Sequence, residues 1–391
     1  MNPAGFIRSV AVQCFVIVAS VAVAVCTPRP QLSLADPAID RTVREFMART
    51  HATGMAVGVL KDGKVLYRAT LGVLDSRTDT PVSANTMFHL ASLGKPFVAT
   101  AVMQLRERGM LDIERPVTAY LPYFTLADER SRGITIRQLL SHTSGMPDVV
   151  DYGWTNPEVD DLALERYVRS LASARLLQSQ NATYAYSNMG YDVLGAVVSR
   201  VSGQTFERYV AASVFRPLDM RSSTFLLAEV PPAKRAWPHT ADSAGRVTRL
   251  EVFPYNRAHA PSSTLYSNLE EMLRWLSAQL EPTRLQERRV LTTRSTSDMR
   301  ARTAQFVGDS TSRIQAWSGL GWSTLIIDST MVVGHGGHDP GFMSVVGFIP
   351  SRNCAVVVMT NTDGEHVDVQ GLGLTILGQL IGRDWSHITG G

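Results

Sequence analysis

Ile39, Val43, Phe46 and Met47 recur at helical spacing between Pro37 and Thr50, which predicts an amphipathic helix. The period then changes. Met55-Ala-Val-Gly-Val-Leu60 and Val65-Leu-Tyr-Arg-Ala69 read as strands, and Lys61-Asp-Gly-Lys64 between them carries the Asp-Gly pair of a tight hairpin turn. Near the other end, Ser344–Ile349 and Cys354–Thr360 form a second strand pair around Pro350-Ser-Arg-Asn353, followed by a closing helix from Val369 to Ile381. Between roughly residues 96 and 280 the pattern is mostly helical, in segments such as Phe97–Arg108, Ile136–Leu140, Leu162–Leu171, Tyr191–Val201 and Leu269–Gln279. Strand-forming ends around a helical middle predict an α/β (α+β) fold: one antiparallel sheet built from both chain ends, with flanking helices and an inserted, mostly helical lobe. No internal repeat or low-complexity linker divides it, so a cleft between sheet and lobe is the default place for a site.

Residues 1–26 follow a different rule. One charge, Arg8, precedes a largely apolar run from Val10 to Cys26, in which Ala22-Val-Ala24 is a small-x-small cleavage site. This reads as a signal peptide that sends the body, residues 27–391, to the periplasm or outside the cell. Retention as a membrane anchor, or lipidation at Cys26, are the alternatives. Two of the three cysteines, Cys14 and Cys26, lie in this leader. Cys354 is left without an intrachain partner inside an apolar strand, the place of a buried structural thiol.

With 391 residues, 45% of them apolar and 19% charged, the chain can bury a substantial core, which excludes disordered and coiled-coil classes. A net charge of +3, with no basic run interleaved with aromatics, excludes nucleic acid as the expected partner. The basic residues carry more information. Only four of the 38 are lysines, Lys61, Lys64, Lys95 and Lys234. Arginine stays protonated in proteins whereas a buried lysine can lose its proton, so a lysine kept in such a chain invites a chemical explanation.

Lys95 closes Ser92-Leu-Gly-Lys95, at the expected start of a helix, where residues three apart share a face. A desolvated lysine next to a serine hydroxyl can take its proton and make it a nucleophile, and helix N-terminal amides favour the charge that then develops on a substrate. Taken alone, the motif fits a capped helix with a solvated lysine equally well. Tyr186 and Asn188 sit in Thr183-Tyr-Ala-Tyr-Ser-Asn188, a polar turn entering a helix. The tyrosine suits acid–base work and the asparagine suits holding a substrate amide, or else they are a core tyrosine and a helix cap. His335-Gly-Gly-His338 leads into the C-terminal strand pair, where small residues let a substrate backbone approach closely. A zinc site at His335 and His338 lacks a clustered third ligand. Ser141-His142 invites a Ser/His catalytic reading of its own.

Ser92-x-x-Lys95, Tyr186-x-Asn188 and His335-Gly-Gly337, in that order and widely separated, together resemble the serine beta-lactamase and penicillin-binding-protein superfamily, specifically its class C branch of beta-lactamases, D,D-peptidases, D-aminopeptidases and related esterases. Ile134-Thr-Ile-Arg-Gln-Leu-Leu-Ser-His-Thr-Ser-Gly-Met-Pro147, Val214-Phe-Arg-Pro-Leu-Asp-Met220, Leu265-Tyr-Ser267 and Gly319-Leu-Gly-Trp322 extend the likeness over nearly the whole body. The resemblance implies a hydrolase that cleaves an amide or ester bond without metal or organic cofactor. In it Ser92 is acylated, Lys95 and Tyr186 transfer protons, and Asn188, His335, Gly336 and Gly337 bind substrate. The backbone N–H groups of Ser92 and His338 form the oxyanion hole, and Ser141-His142 becomes a packing and turn segment. Two departures stand out. His335-Gly-Gly337 replaces the usual Lys-Thr-Gly of the branch's beta-lactamases, which removes the ammonium that would attract a beta-lactam carboxylate and leaves a cell-wall peptide and a small ester as competing substrates. Asp219 replaces a frequent glycine. A low-turnover binding or regulatory protein of the same fold is the alternative from another class.

Overall fold

The computed structural model describes residues 36–309 and 311–388, so the leader lies outside the described residues. Helix α1 (Pro37–Thr50) starts where Asp36 accepts from the amides of Ala38 and Ile39 and ends at His51 in the left-handed region, and it buries Ile39, Val43 and Phe46. The hairpin β1 (Gly54–Lys61) and β2 (Lys64–Gly72) follows, turning at Asp62 and Gly63, both with positive φ. Helices α2 (Lys95–Glu107), α3 (Ile136–Leu140), α4 (Asn188–Ser202) and α5 (Leu269–Leu280) dominate the middle, and β3 (Ala304–Val307), β4 (Ile314–Ser318), β5 (Ser323–Ile327), β6 (Thr330–Asp339), β7 (Phe342–Ile349), β8 (Cys354–Thr360) and helix α6 (Val369–Leu380) complete the chain. The strands form one antiparallel sheet in the order β2-β1-β8-β7-β6-β5-β4-β3, which pairs the N-terminal hairpin with the last strand.

Alternation along the central strands explains the layering. Met55, Val57 and Val59 of β1, with Val356 and Val358 of β8, pack against α1 and α6. Their neighbours Ala56, Leu60, Ala355, Val357 and Met359 face Leu269 and Leu273 of α5 and the helical lobe. Each fully buried Val or Leu contributes about 1.5–3 kcal/mol, and burial on both faces is why Cys354–Met359 reads as an unbroken apolar run.

Three strands at one end of the sheet, β3 to β5, lie outside the sequence expectation. Most of β3 is exposed, and β4 and β5 are largely half-buried and interrupted by polar residues, so no strong period marks them. The middle is also less purely helical than expected: His239–Ala241 and Val247–Arg249 join Thr362–Asp363 in a small sheet. The helix expected at Phe97 begins at Lys95, directly after a 3-10 turn. Asp219 has φ 57, a conformation that glycine adopts freely and aspartate tolerates. Its carboxylate meets Arg221 at 2.6 Å and its carbonyl accepts from Arg274.

Candidate active site

Ser92 lies in a 3-10 turn, Ala91–Gly94, that runs straight into α2. With three residues per turn, positions i and i+3 eclipse, which sets Lys95 against Ser92: Nζ is 2.8 Å from Oγ. The turn is held under tension. Ala91 is buried with φ 49, unfavourable for a residue with a Cβ, while the Leu90 amide donates to the Leu265 carbonyl and the Ser344 hydroxyl donates to the Leu90 carbonyl. The Ser92 amide falls in the first turn, where no carbonyl of the same helix is in register to accept it.

Lys95 is 0% exposed and spends its other two donors on Asn188 Oδ1 at 2.6 Å and the Ser262 carbonyl at 2.7 Å. Burial pulls its pKa down to about 7, against the opposing fields of Asp192, Asp339 and Asp148. A neutral Nζ keeps two hydrogens, enough for Asn188 and Ser262, and its lone pair then faces Ser92. The Ser262 carbonyl is fixed from behind: buried Asp192 accepts from the Ser262 amide and pairs with His259 Nδ1 at 2.8 Å. Burial raises the Asp192 pKa, opposed by His259.

Tyr186 donates its hydroxyl to Ser92 Oγ at 2.9 Å, and burial pushes its pKa above the ordinary tyrosine range. Its ring stacks on His142, centroids 4.4 Å apart at 27°. His142 accepts the Ser187 amide on Nδ1, and burial and then the Lys95 charge hold it neutral, with a pKa well below the usual histidine value. Ser187 caps α4, accepting from the Gly190 amide, so Asn188 is not the cap but the first helical residue, with its side chain turned to Lys95. Asp148 accepts from both the backbone and the Nδ2 of Asn188.

Strand β6 supplies the far wall. β5 pairs with it only as far as Gly334 and β7 continues to Asp339, so the second edge of His335–Asp339 is open toward Ser92. A Cβ at Gly337 would stand 2.1 Å from the Leu90 carbonyl oxygen, and one at Gly336 would stand 2.6 Å from Gln370 Nε2. Glycine at 337 is thus the condition for the turn that carries Ser92 to rest on β6. His335 Nδ1 donates to the Gly336 carbonyl at 2.6 Å, leaving Nε2 as an acceptor, and burial followed by the Lys95 charge lowers its pKa to about 4. The exposed ring of His338 turns to Asp363, 3.6 Å away, whose carboxylate raises its pKa. Among the described residues no cluster of three or more metal-binding side chains occurs. Buried His89 pairs with Asp339 at 2.7 Å, tying the approach to Ser92 to the end of β6.

The structure therefore brings Ser92, Lys95, Tyr186 and Asn188 into one hydrogen-bonded group, with His335, Gly336, Gly337 and His338 lining the same cavity as Ser92. Sequence reasoning missed Asp148, Asp192 and Ser262. Asp192 left a usable trace: it is a lone acid in an apolar helix, four residues after Asn188. His142 was read as structural, without its contact to Tyr186.

An antiparallel sheet closed by both chain ends, with a Ser-x-x-Lys turn resting on its open strand edge, is the architecture of the beta-lactamase and penicillin-binding-protein superfamily. The beta-lactamase family profile matches residues 39–380, and the chain belongs to that family. The octameric penicillin-binding protein homologue from Pyrococcus abyssi superposes with a TM-score of 0.75 at 22% identity, covering 90% of this chain and 78% of that one. The penicillin binding protein from Bacillus halodurans gives 0.69 at 25% identity, covering 85% and 98%. Among curated relatives, Protein flp of Staphylococcus aureus (strain N315) is 25% identical over 332 residues, 84% of this chain. Esterase EstB of Burkholderia gladioli is 38% identical over 216 residues, 52% of this chain. The matches span 64% of the length of Protein flp and 53% of that of EstB.

Proposed function

We propose that this protein is an exported serine hydrolase of the class C type that cleaves neutral esters through an acyl-enzyme on Ser92. One observation carries the reading: a fully buried lysine with a pKa near 7 donates to the same hydroxyl oxygen that Tyr186 contacts. Neutral Lys95 takes the Ser92 proton as Oγ bonds to the carbonyl carbon. The amides of Ser92 and His338 hold the tetrahedral oxyanion. As the carbonyl re-forms, the bond to the leaving oxygen breaks, and that oxygen takes the Tyr186 proton, which the Lys95 ammonium replaces. Water then adds to the acyl carbon, giving its proton to Lys95, and the carboxylic acid leaves as the proton returns to Ser92.

The choice of ester over charged peptide or beta-lactam rests on the cavity, where no Asp, Glu, Lys or Arg occurs among the described lining residues and His335 is neutral. A substrate carboxylate would be desolvated there without a partner. The similarity to an esterase supports the same choice. Export is the proposed task of residues 1–26, on their signal-like pattern. The test compares 4-nitrophenyl butanoate with a chromogenic cephalosporin. Ester turnover that Ser92→Ala abolishes, with little cephalosporin turnover, supports the reading; cephalosporin turnover as fast as the ester's would make the protein a beta-lactamase instead.

A further inference from the structure

The cavity that opens at Ser92 does not end between sheet and lobe. It turns around the open edge of β6 and continues on the opposite face of the sheet, beneath α6. Cross-strand pairing places that face unambiguously: Gly336 opposes Val345, Gly334 opposes Gly347, and Val332 opposes Leu325. Its walls there are Ile314, Leu325, Val332, Val345, Leu374 and Leu377, and the glycines between them let these side chains close in, Leu377 over Gly347 and Val345 over Gly373. The whole cavity measures about 510 Å³, inside the usual range for small-molecule sites of about 300–1,000 Å³. Val332, Val345 and Leu377 belong to the core beneath α6, with Ile314, Leu325 and Leu374 half-buried at its margin, and the space these residues line communicates with Ser92.

Resting on the hydrolase reading, we infer that this apolar extension is an acyl-chain pocket and that the natural substrates are esters of linear, medium-length aliphatic acids. The direction follows from proton transfer. Tyr186 lies 2.9 Å from Ser92 Oγ on the lobe side, and the group it protonates must depart on that side. The acyl group stays bonded to Oγ and points the other way, along β6 toward Gly334 and Val332. Methylene groups entering there exchange water for aliphatic walls, which strengthens binding with each added carbon until the pocket is full. A branched or charged acyl group would meet the β6 edge or the uncharged walls.

The experiment measures kcat/KM for 4-nitrophenyl acetate, butanoate and octanoate, which share a leaving group and differ only in acyl length. Wild-type, Ser92→Ala, Leu325→Trp and Leu374→Trp proteins are compared. The inference expects octanoate to exceed acetate at least about tenfold in the wild type. Each tryptophan variant should lower the octanoate-to-acetate ratio at least about fivefold, and because the ratio is internal, partial loss of folded protein cancels. A flat or falling dependence on chain length, with acetate turnover still lost in Ser92→Ala, overturns the pocket and leaves the hydrolase reading standing. A wild-type preference that neither tryptophan alters also overturns the pocket. Failure of all three esters to show Ser92-dependent turnover overturns both.

Discussion

Lys95→Arg separates charge from proton acceptance. The guanidinium keeps a positive charge three residues from Ser92, but its pKa stays above about 12. With a pKa near 7, Lys95 is neutral in roughly half of the molecules at pH 7. An arginine would be neutral in fewer than about one in 10⁵, a difference of roughly 7 kcal/mol in the cost of reaching the basic form. Water or Tyr186 recovers part of this, and positioned general bases contribute about 10²–10⁴-fold. The expected result is a fall in kcat/KM for 4-nitrophenyl butanoate of at least about 10³-fold. Lys95 is fully buried with all three donors bonded, so arginine is also oversized there. Lys95→Met, isosteric and uncharged, serves as the second variant, and thermal melts of both establish that the fold persists. Either variant, folded and within about tenfold of the wild-type rate, would refute the assignment of Lys95 as the base.

The pH profile of kcat/KM should rise with unit slope and level off near pH 7, because only neutral Lys95 accepts the proton. His335→Gln should leave that midpoint in place, since His335 is neutral above about pH 4; a midpoint that moves with this substitution would contradict it. Stability should carry the same signature. The folded-state pKa of Lys95 lies below the unfolded value of 10.5, so between about pH 7 and 10.5 the unfolded chain binds more protons and wild-type stability climbs with pH. Denaturant titrations should therefore show the stability of Lys95→Met relative to wild type shrinking over that window, by at most about 5 kcal/mol; a constant difference would exclude the shift. Gly337→Ala should lower kcat/KM at least about 100-fold, because its Cβ displaces the Leu90 carbonyl from β6 and with it the Ser92 amide; near-normal ester turnover would show that the turn does not depend on this contact.

Much of this was legible in the chain. The first helix, the β1–β2 hairpin, β8 and the closing helix were found to within three residues, because each has a strong period and clear punctuation at its ends. The strands at the cavity end of the sheet were not, since a strand as exposed as Ala304–Val307 carries no alternation of buried and open positions. In the site, Ser92, Lys95, Tyr186 and Asn188 could be gathered from motifs, but their supports could not. Asp148 reaches Asn188 across 40 residues and Ser262 offers Lys95 a backbone carbonyl, a contact that no side-chain pattern encodes. The extension beneath α6 was equally hidden, because a cavity lined by valine, leucine and glycine has the same sequence signature as a well-filled core.

The stability cost of Lys95 bears on what kind of protein this is. Desolvating its ammonium opposes folding at neutral pH, and three carboxylates, Asp192, Asp339 and Asp148, only partly offset that cost. A site that merely held a ligand would be served better by methionine, which fills the same space, or by a solvated arginine of the kind used elsewhere in this chain. On the proposed mechanism, lysine sacrifices stability in order to lose a proton beside a hydroxyl, and its surroundings suit that event. Asn188 and Ser262 can hold two of its hydrogens when the third has gone, while Asp192 fixes the Ser262 carbonyl from behind. The strain at Ala91 has the same meaning: it is localised at the residue that presents Ser92 and is sustained by the Leu90 contacts on either side. Both costs fall on Lys95 and on the turn that carries Ser92 rather than on the cavity walls, which is what the proposed turnover requires and simple recognition does not.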